Sequence, residues 1–351
     1  MAAPGRIARF ALAAVTLLVA VTALGHYAGW TSVATFAIAT AALAGLAWLV
    51  AVATEQVGEY LGPGATGLLQ STVGNLPELF VVIFALRAGE RVVAQSAIVG
   101  SLLANALLVL GLVFVVGALR PQAGGVMRFD PRIIRATATM LFVCLFTIVL
   151  VALSLVSRGA LSHHVDAISA IGAGLLLTVY VAWIVPHVRG ERRAGPGAPT
   201  LALPTAIVLL VLTGTAAAFV SDWFVDALQP AISQLHISQA FAGLVIVAIA
   251  GNAVENATGV SMAARGRSDL AVSVVVHSVA QIAAFLFPLL ILISFAFGTH
   301  LTFNLPPIYI GALALSAIAV WQITDDGEAR VFEGWALITI YAILAVITIY
   351  E

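Results

Sequence analysis

Eleven apolar runs follow one another along this chain with only short polar breaks between them. They lie at roughly 7–25, 31–54, 64–87, 92–118, 133–156, 164–187, 202–225, 236–264, 269–297, 306–324 and 330–350. A helix crosses the hydrocarbon core of a bilayer with about 20 apolar residues. Inside that core every backbone N–H and C=O must be satisfied by the helix itself or by a closed barrel, so a succession of such runs folds as a helical bundle. Composition excludes the alternatives. Only 9% of residues are charged, against roughly 25% in soluble domains, which is too few to cover a water-facing surface. Cys144 is the single cysteine, so there is no disulfide scaffold. A net charge of −1 gives no basic surface for nucleic acid. The expected fold class is an all-α polytopic membrane protein with the lipid bilayer as its partner and no cofactor.

The charges act as a ruler. All 15 basic residues are Arg. With the N-terminus inside, Arg6, Arg9, Arg120, Arg128, Arg132, Arg135, Arg189, Arg192, Arg193, Arg265, Arg267 and Arg330 fall on the cytoplasmic side, and only Arg87, Arg91 and Arg158 outside. This is the bias of the positive-inside rule, and one span more or fewer in the middle would scramble it. The C-terminus is then expected outside. The first run, after Arg6 and Arg9, also has the layout of a signal segment. No clear cleavage site follows Gly25, so it is read as a true span.

The longest hydrophilic break, 188–201, holds Arg189, Glu191, Arg192 and Arg193 and then Gly195, Pro196, Gly197 and Pro199, the composition of a linker. It divides the chain into an extra first helix (1–30), five spans (31–187) and five more (202–351). An odd number of spans per group inverts the second group relative to the first. Self-similarity supports that division. Gly74-Asn75-Leu76-Pro77-Glu78 recurs 177 positions later as Gly251-Asn252-Ala253-Val254-Glu255. The same spacing, without a gap, aligns Gly89 with Gly266, Ser96 with Ser273 and Ser101 with Ser278. Inverted repeats are the build of secondary transporters, with the substrate site where the repeats meet.

Glu78 and Glu255 each lie well inside an apolar run. A carboxylate there costs about 2.5–3.5 kcal/mol even on lenient insertion scales. No Arg lies at comparable depth to pair with either. Two facing carboxylates without a basic partner have two inexpensive states: protonated, or neutralised by a bound cation. A hard divalent cation such as Ca²⁺ takes six to eight oxygens at about 2.3–2.6 Å. Two Glu supply up to four. Carbonyls near Gly74 and Gly251 and the side chains of Asn75 and Asn252 supply further candidates, since Pro77 and the Gly-Asn pairs disfavour continuous helix. A soft metal is disfavoured by the absence of Cys or Met beside either Glu. The empty, doubly ionised site is too costly to carry across the low-dielectric barrier, so exchange of one Ca²⁺ against protons is the simplest outcome.

These residues carry a resemblance. Gly-Asn-Leu-Pro-Glu78-Leu, followed by Gln95-Ser-Ala-Ile-Val-Gly-Ser101-Leu-Leu-Ala-Asn105, resembles the first signature region of the Ca²⁺/H⁺ antiporter (CAX) family of the cation/Ca²⁺ exchanger superfamily. Gly-Asn-Ala-Val-Glu255, Asp269-Leu-Ala and Ser278-Val-Ala-Gln281 resemble the second, and the one-plus-five-plus-five layout is similar as well. The resemblance implies an antiporter in which Glu78 and Glu255 bind Ca²⁺ and protons alternately, helped by backbone carbonyls and the flanking Asn and Ser. Three features differ from the family's usual pattern. Asn256 stands where His is usual after the second Glu, His277 stands where Gly is usual before Ser278, and the linker is short and basic rather than an acidic helix.

His277 aligns with Gly100 in the repeat and lies near mid-span. It is a candidate proton-binding group, or a neutral His bonded to a carbonyl in a packed helix. Gln95, Ser101, Asn105, Ser278 and Gln281 are candidates to line the cavity, or interhelical glue. Glu55 and Glu59 read as a solvated helix end, and so does the Asp325-Asp326-Gly327-Glu328 loop, which lacks hand-type calcium spacing. Asp222 and Asp226 are expected at the outer water. Exchange of another cation, Mn²⁺ or Na⁺, and a cation channel are the alternatives. An intramembrane enzyme finds no motif here, neither His-Glu-x-x-His nor Gly-x-Ser-x-Gly nor a nucleotide loop. Unbroken Ala-rich, all-Arg usage suggests a bacterial cytoplasmic membrane.

Overall fold

The computed structural model describes residues 4–61, 69, 73–156, 163–190 and 201–350. In chain order the elements are α1 (Pro4–Tyr27), α2 (Ser32–Leu61), α3 (Leu76–Arg87), α4 (Arg91–Ala118), β1 (Val126–Arg128), α5 (Pro131–Val156), α6 (Val165–Gly190), α7 (Leu203–Leu235), α8 (Gln239–Gly251), α9 (Ala253–Ala264), α10 (Ser268–Ser294), α11 (Pro307–Thr324), β2 (Glu328–Arg330) and α12 (Val331–Ile349). Among the described residues nine helices are long and apolar enough to cross a membrane, and α8 with α9 makes a tenth span bent by 59°. The protein is therefore an all-α polytopic membrane protein. The expected run over 64–87 is described in its second part, α3, and its first part lies outside the described residues, as does 191–200 of the linker.

The run 236–264 is interrupted where its Gly-Asn pair disfavours helix: Asn252 leaves helical geometry (φ −99°, ψ 18°) and splits it. Two features differ from expectation. The run 202–225 extends to Leu235, carrying Pro230 inside the helix, and ends at His236 in the left-handed region (φ 53°). The second difference is a two-stranded antiparallel ladder, β1 with β2, pairing Val126 with Arg330 and Arg128 with Glu328. Three-residue strands are too short to show alternation in sequence, and they form because the two loops meet at the bundle surface. Arg128 and Glu328 pair there at 2.9 Å.

The spacing of 177 is repeated in the backbone. α3 and α9 match at both ends, and α4 and α10 start in register. Asn75 (φ −93°, ψ 17°), just before α3, has the geometry of Asn252 just before α9. Gly89 and Gly266 both hold positive φ, +83° and +76°, turning the chain sharply into α4 and α10. Each of those two helices then loosens into a π turn, Ala104–Val109 and Ile282–Leu286.

α4 and α10 are the most buried spans, and the other helices pack around them. α4 crosses α8 at backbone contact. A Cβ on Gly100 would lie 2.4 Å from the Leu244 carbonyl oxygen, and one on Gly243 would lie 1.9 Å from Ser96 Oγ. Small residues replace the hydrophobic effect as the means of close association in lipid. α2 and α7 form the most extensive helix pair and are joined at one end, where Tyr60 Oη donates to the Leu201 carbonyl (2.7 Å) and the Leu201 N–H donates to Gln56 (3.1 Å).

Candidate ion-binding site

Each half of the site begins at a break. Asn75 lies outside helical geometry and the chain enters α3 at Leu76, with Pro77 in the first turn, where its missing N–H costs nothing. Glu78 follows in that same first turn. Glu255 occupies the equivalent turn of α9. A helix N-terminus carries partial positive charge and free N–H groups, so both carboxylates sit where the backbone favours an anion.

Glu78 is 1% exposed. Both its carboxylate oxygens are buried without a hydrogen-bond partner. Ser101 and Asn252 lie beside the carboxylate, and Glu255 is near enough to repel it. Gly251, at the end of α8, faces its stem: a Cβ there would lie 3.5 Å from Glu78 Cβ. The carboxylate of one half thus meets the helix break of the other. A cavity of about 10 Å³, the size of one water, lies alongside, lined by Leu43, Pro77, Glu78, Val81, Val247, Ala250 and Gly251. Glu255 is partly buried, and the Oδ1 of its neighbour Asn256 is buried and unpaired.

The expected polar residues divide into two groups. Ser101, Asn105, Asn252 and Ser278 converge in a buried network. Asn252 Nδ2 donates to Ser101 Oγ (2.9 Å) and to the Ala248 carbonyl (2.9 Å). Asn105 Nδ2 donates to Asn252 Oδ1 (2.8 Å) and to Ser278 Oγ (3.2 Å). In this conformation the amide oxygen of Asn252 is therefore occupied by Asn105. Asn75 is buried with its Nδ2 unpaired, and Gly74 and Gly251 flank the breaks, partly buried.

The second group lies apart from this network. Gln95 Nε2 donates to the Asn304 carbonyl (3.0 Å) and so ties α4 to the segment before α11. Gln281 is partly buried at the start of the π turn. His277 Nδ1 lies 2.7 Å from the Ser273 carbonyl and 3.0 Å from Ser273 Oγ, with its ring 5.6 Å from that of Trp183.

Among the described residues no three His, Cys, Asp or Glu side chains gather at one point. A cation here would rest on the two Glu plus amide, hydroxyl and backbone oxygens. That donor set is all oxygen and suits a hard cation. Sequence reasoning missed Leu43, an apolar residue that carries no chemical signal, and treated Asn256 only as a departure from a pattern. A polar side chain beside Glu255 in an apolar run was the available clue.

A bundle of membrane-crossing helices, broken at matching points around two acidic side chains, defines a polytopic membrane protein of the ion-transporter class. The model of the family described as sodium/calcium exchanger protein matches residues 31–186 and 205–350, and the chain belongs to that family. A Ca²⁺/H⁺ antiporter of Synechocystis sp. is 31% identical over 347 residues, covering 91% of this chain and 92% of the relative. The Ca²⁺/H⁺ antiporter ChaA of Bacillus subtilis is 31% identical over 341 residues, covering 93% and 95%. The structure of native YfkE superposes with a TM-score of 0.83 at 28% identity, over 97% of this chain and all of that one.

Proposed function

We propose that this protein is a secondary active antiporter that exchanges Ca²⁺ for protons across the membrane by alternating access. Glu78 and Glu255 bind either the cation or protons at the midplane. The observation that carries the reading is the Glu78 carboxylate, buried with both oxygens unpaired against the break that leads to Glu255. An ionised carboxylate left so is costly. Protonation removes that cost, and so does a cation held with Glu255 and with oxygens at Gly74, Gly251, Asn75 and Asn252. The names of the relatives support Ca²⁺ and H⁺ as the exchanged pair. Residues 31–187 and 202–351 are the two inverted halves, 1–30 an additional helix and 188–201 a cytoplasmic linker. The two stretches matched by the family model support this division.

Reconstituted vesicles test the reading. Radiolabelled calcium uptake driven by a pH gradient is expected in the parent and lost in Glu78→Gln and in Glu255→Gln, because each leaves one carboxylate to serve a divalent ion alone. Uptake indifferent to the proton gradient, or retained by both variants, would sink the proposal. In the same assay Mn²⁺ and Na⁺ are expected to compete less well than unlabelled Ca²⁺. Preferential competition by either would transfer the role to that cation.

A further inference from the structure

We propose that Asn105 is a positioning residue that makes the two halves of the site inequivalent and so sets which side of the membrane the site faces. The inference rests on the function proposed above and deepens it.

The amide orientations in the network follow from one carbonyl. The Ala248 oxygen can only accept, so the group 2.9 Å from it is the Asn252 nitrogen. The second hydrogen of that nitrogen goes to Ser101 Oγ at 2.9 Å. Asn252 Oδ1 is then turned to Asn105 and needs a donor, which makes the group at 2.8 Å the Asn105 nitrogen. The remaining hydrogen of Asn105 goes to Ser278 Oγ at 3.2 Å. Asn105, Asn252 and Ser101 are fully buried and Ser278 nearly so, so water does not substitute for these partners.

The repeat spacing says what the other half should do. Asn252 pairs with Ser101, so Asn75 should pair with Ser278. It does not: Asn75 Nδ2 is buried and unpaired, and Ser278 is held by Asn105. The counterpart of Asn105 is Ile282, which has no donor. One residue without an equivalent therefore breaks the symmetry. A buried unpaired amide is costly, and a competing arrangement moves that cost from Asn75 to Asn105, whose Oδ1 is already buried and unpaired: Ser278 passes to Asn75, and Asn252 Oδ1 is released towards the carboxylates. Two discrete hydrogen-bond patterns of this kind are the local form of a bistable switch. Alternating access requires the halves to exchange roles, and Asn105 biases which pattern prevails.

The test reads sidedness directly. Leu43 lines the cavity beside Glu78, so a Leu43→Cys reporter in a Cys144→Ala background reacts with a membrane-impermeant maleimide from whichever side the cavity opens. In vesicles of known orientation the parent is expected to react faster from one side, by at least about fivefold, the lower end of ordinary coupling between sites. Asn105→Ile should equalise the two rates. The exchange variant Asn105→Ile with Ile282→Asn moves the donor to the other half and should reverse the favoured side. An unchanged ratio in the single variant, or the parent's favoured side in the exchange variant, overturns the inference. Should the exchange variant fail to fold, Ser278→Ala serves instead. Its effect on the ratio must be non-additive with that of Asn105→Ile, and additivity overturns the proposal. Labelling requires no calcium transport, so a parent that shows sidedness without exchange would sink the proposed function, while the labelling ratios of the variants report separately on Asn105.

Discussion

A carboxylate such as Glu78 survives folding only if the membrane-embedded site gives it something in return for lost hydration. The helix N-terminus supplies part of this, and in the proposed function a cargo ion or proton supplies the rest. His277 meets the same requirement differently. Its Nδ1 lies 2.7 Å from a carbonyl oxygen, Ser273 O, which can only accept, so Nδ1 carries a proton. Replacing it by its repeat counterpart, His277→Gly, should shift the pH optimum of exchange if the imidazole takes part in the proton step. The check is uptake against pH at fixed calcium. Superimposable profiles would leave His277 a packing residue. The resemblance pointed to Glu78, Glu255, Ser101 and Ser278 because those residues stand in recurring patterns. The bonding of Asn105 was not legible, since it depends on which of two amides faces a hydroxyl more than 170 positions away in the chain.

Helices that pack without a hydrophobic driving force depend on close approach, and the crossing of α4 and α8 is the sharpest case here. A methyl group on Gly100 would lie 2.4 Å from Leu244 O and 2.5 Å from Leu244 Cα, both backbone atoms that cannot swing aside. Gly100→Ala should therefore destabilise the protein by about 1–3 kcal/mol, the usual cost of overpacking, and lower the melting temperature in detergent. Gly174, on α6, has nothing within 4 Å of its added Cβ. Gly174→Ala should be neutral or stabilising by up to about 1 kcal/mol, from helix propensity alone. Equal melting temperatures for the two variants would contradict the close-packed crossing. Element positions were legible to within a few residues because apolar runs measure the bilayer. The break at Asn252 was signalled by its Gly-Asn pair rather than by hydropathy; the continuation of α7 to Leu235 was not legible, because hydropathy is blind to polar helix beyond the membrane. The β1–β2 ladder was illegible for another reason: it is a tertiary meeting of two loops.

At the scale of the molecule, contacts between loops constrain how often the chain crosses. β1 pairs with β2, and six spans separate them, an even number that returns the chain to one face. Tyr60 bonds Leu201, and between them lie α4, α5 and α6. A fourth crossing is needed to bring those residues to the same side, and the expected run over 64–87 is the candidate for it. The Arg distribution then orients the whole. The sequence assigns twelve Arg to the side that holds β1 and β2 and three to the other, so that face is expected in the cytoplasm and the C-terminus outside. The single cysteine makes this measurable. Cys144 is 1% exposed and should be silent to an impermeant maleimide. Tyr350, just past α12, is 86% exposed, and Asp325 is exposed in the turn before β2. In intact cells Tyr350→Cys should label and Asp325→Cys should not, while permeabilised cells label both. The reverse pattern would invert the molecule, and labelling of both in intact cells would place an odd number of errors in the span count. Because α12 alone separates the two positions, the pair also tests whether that helix crosses the membrane at all.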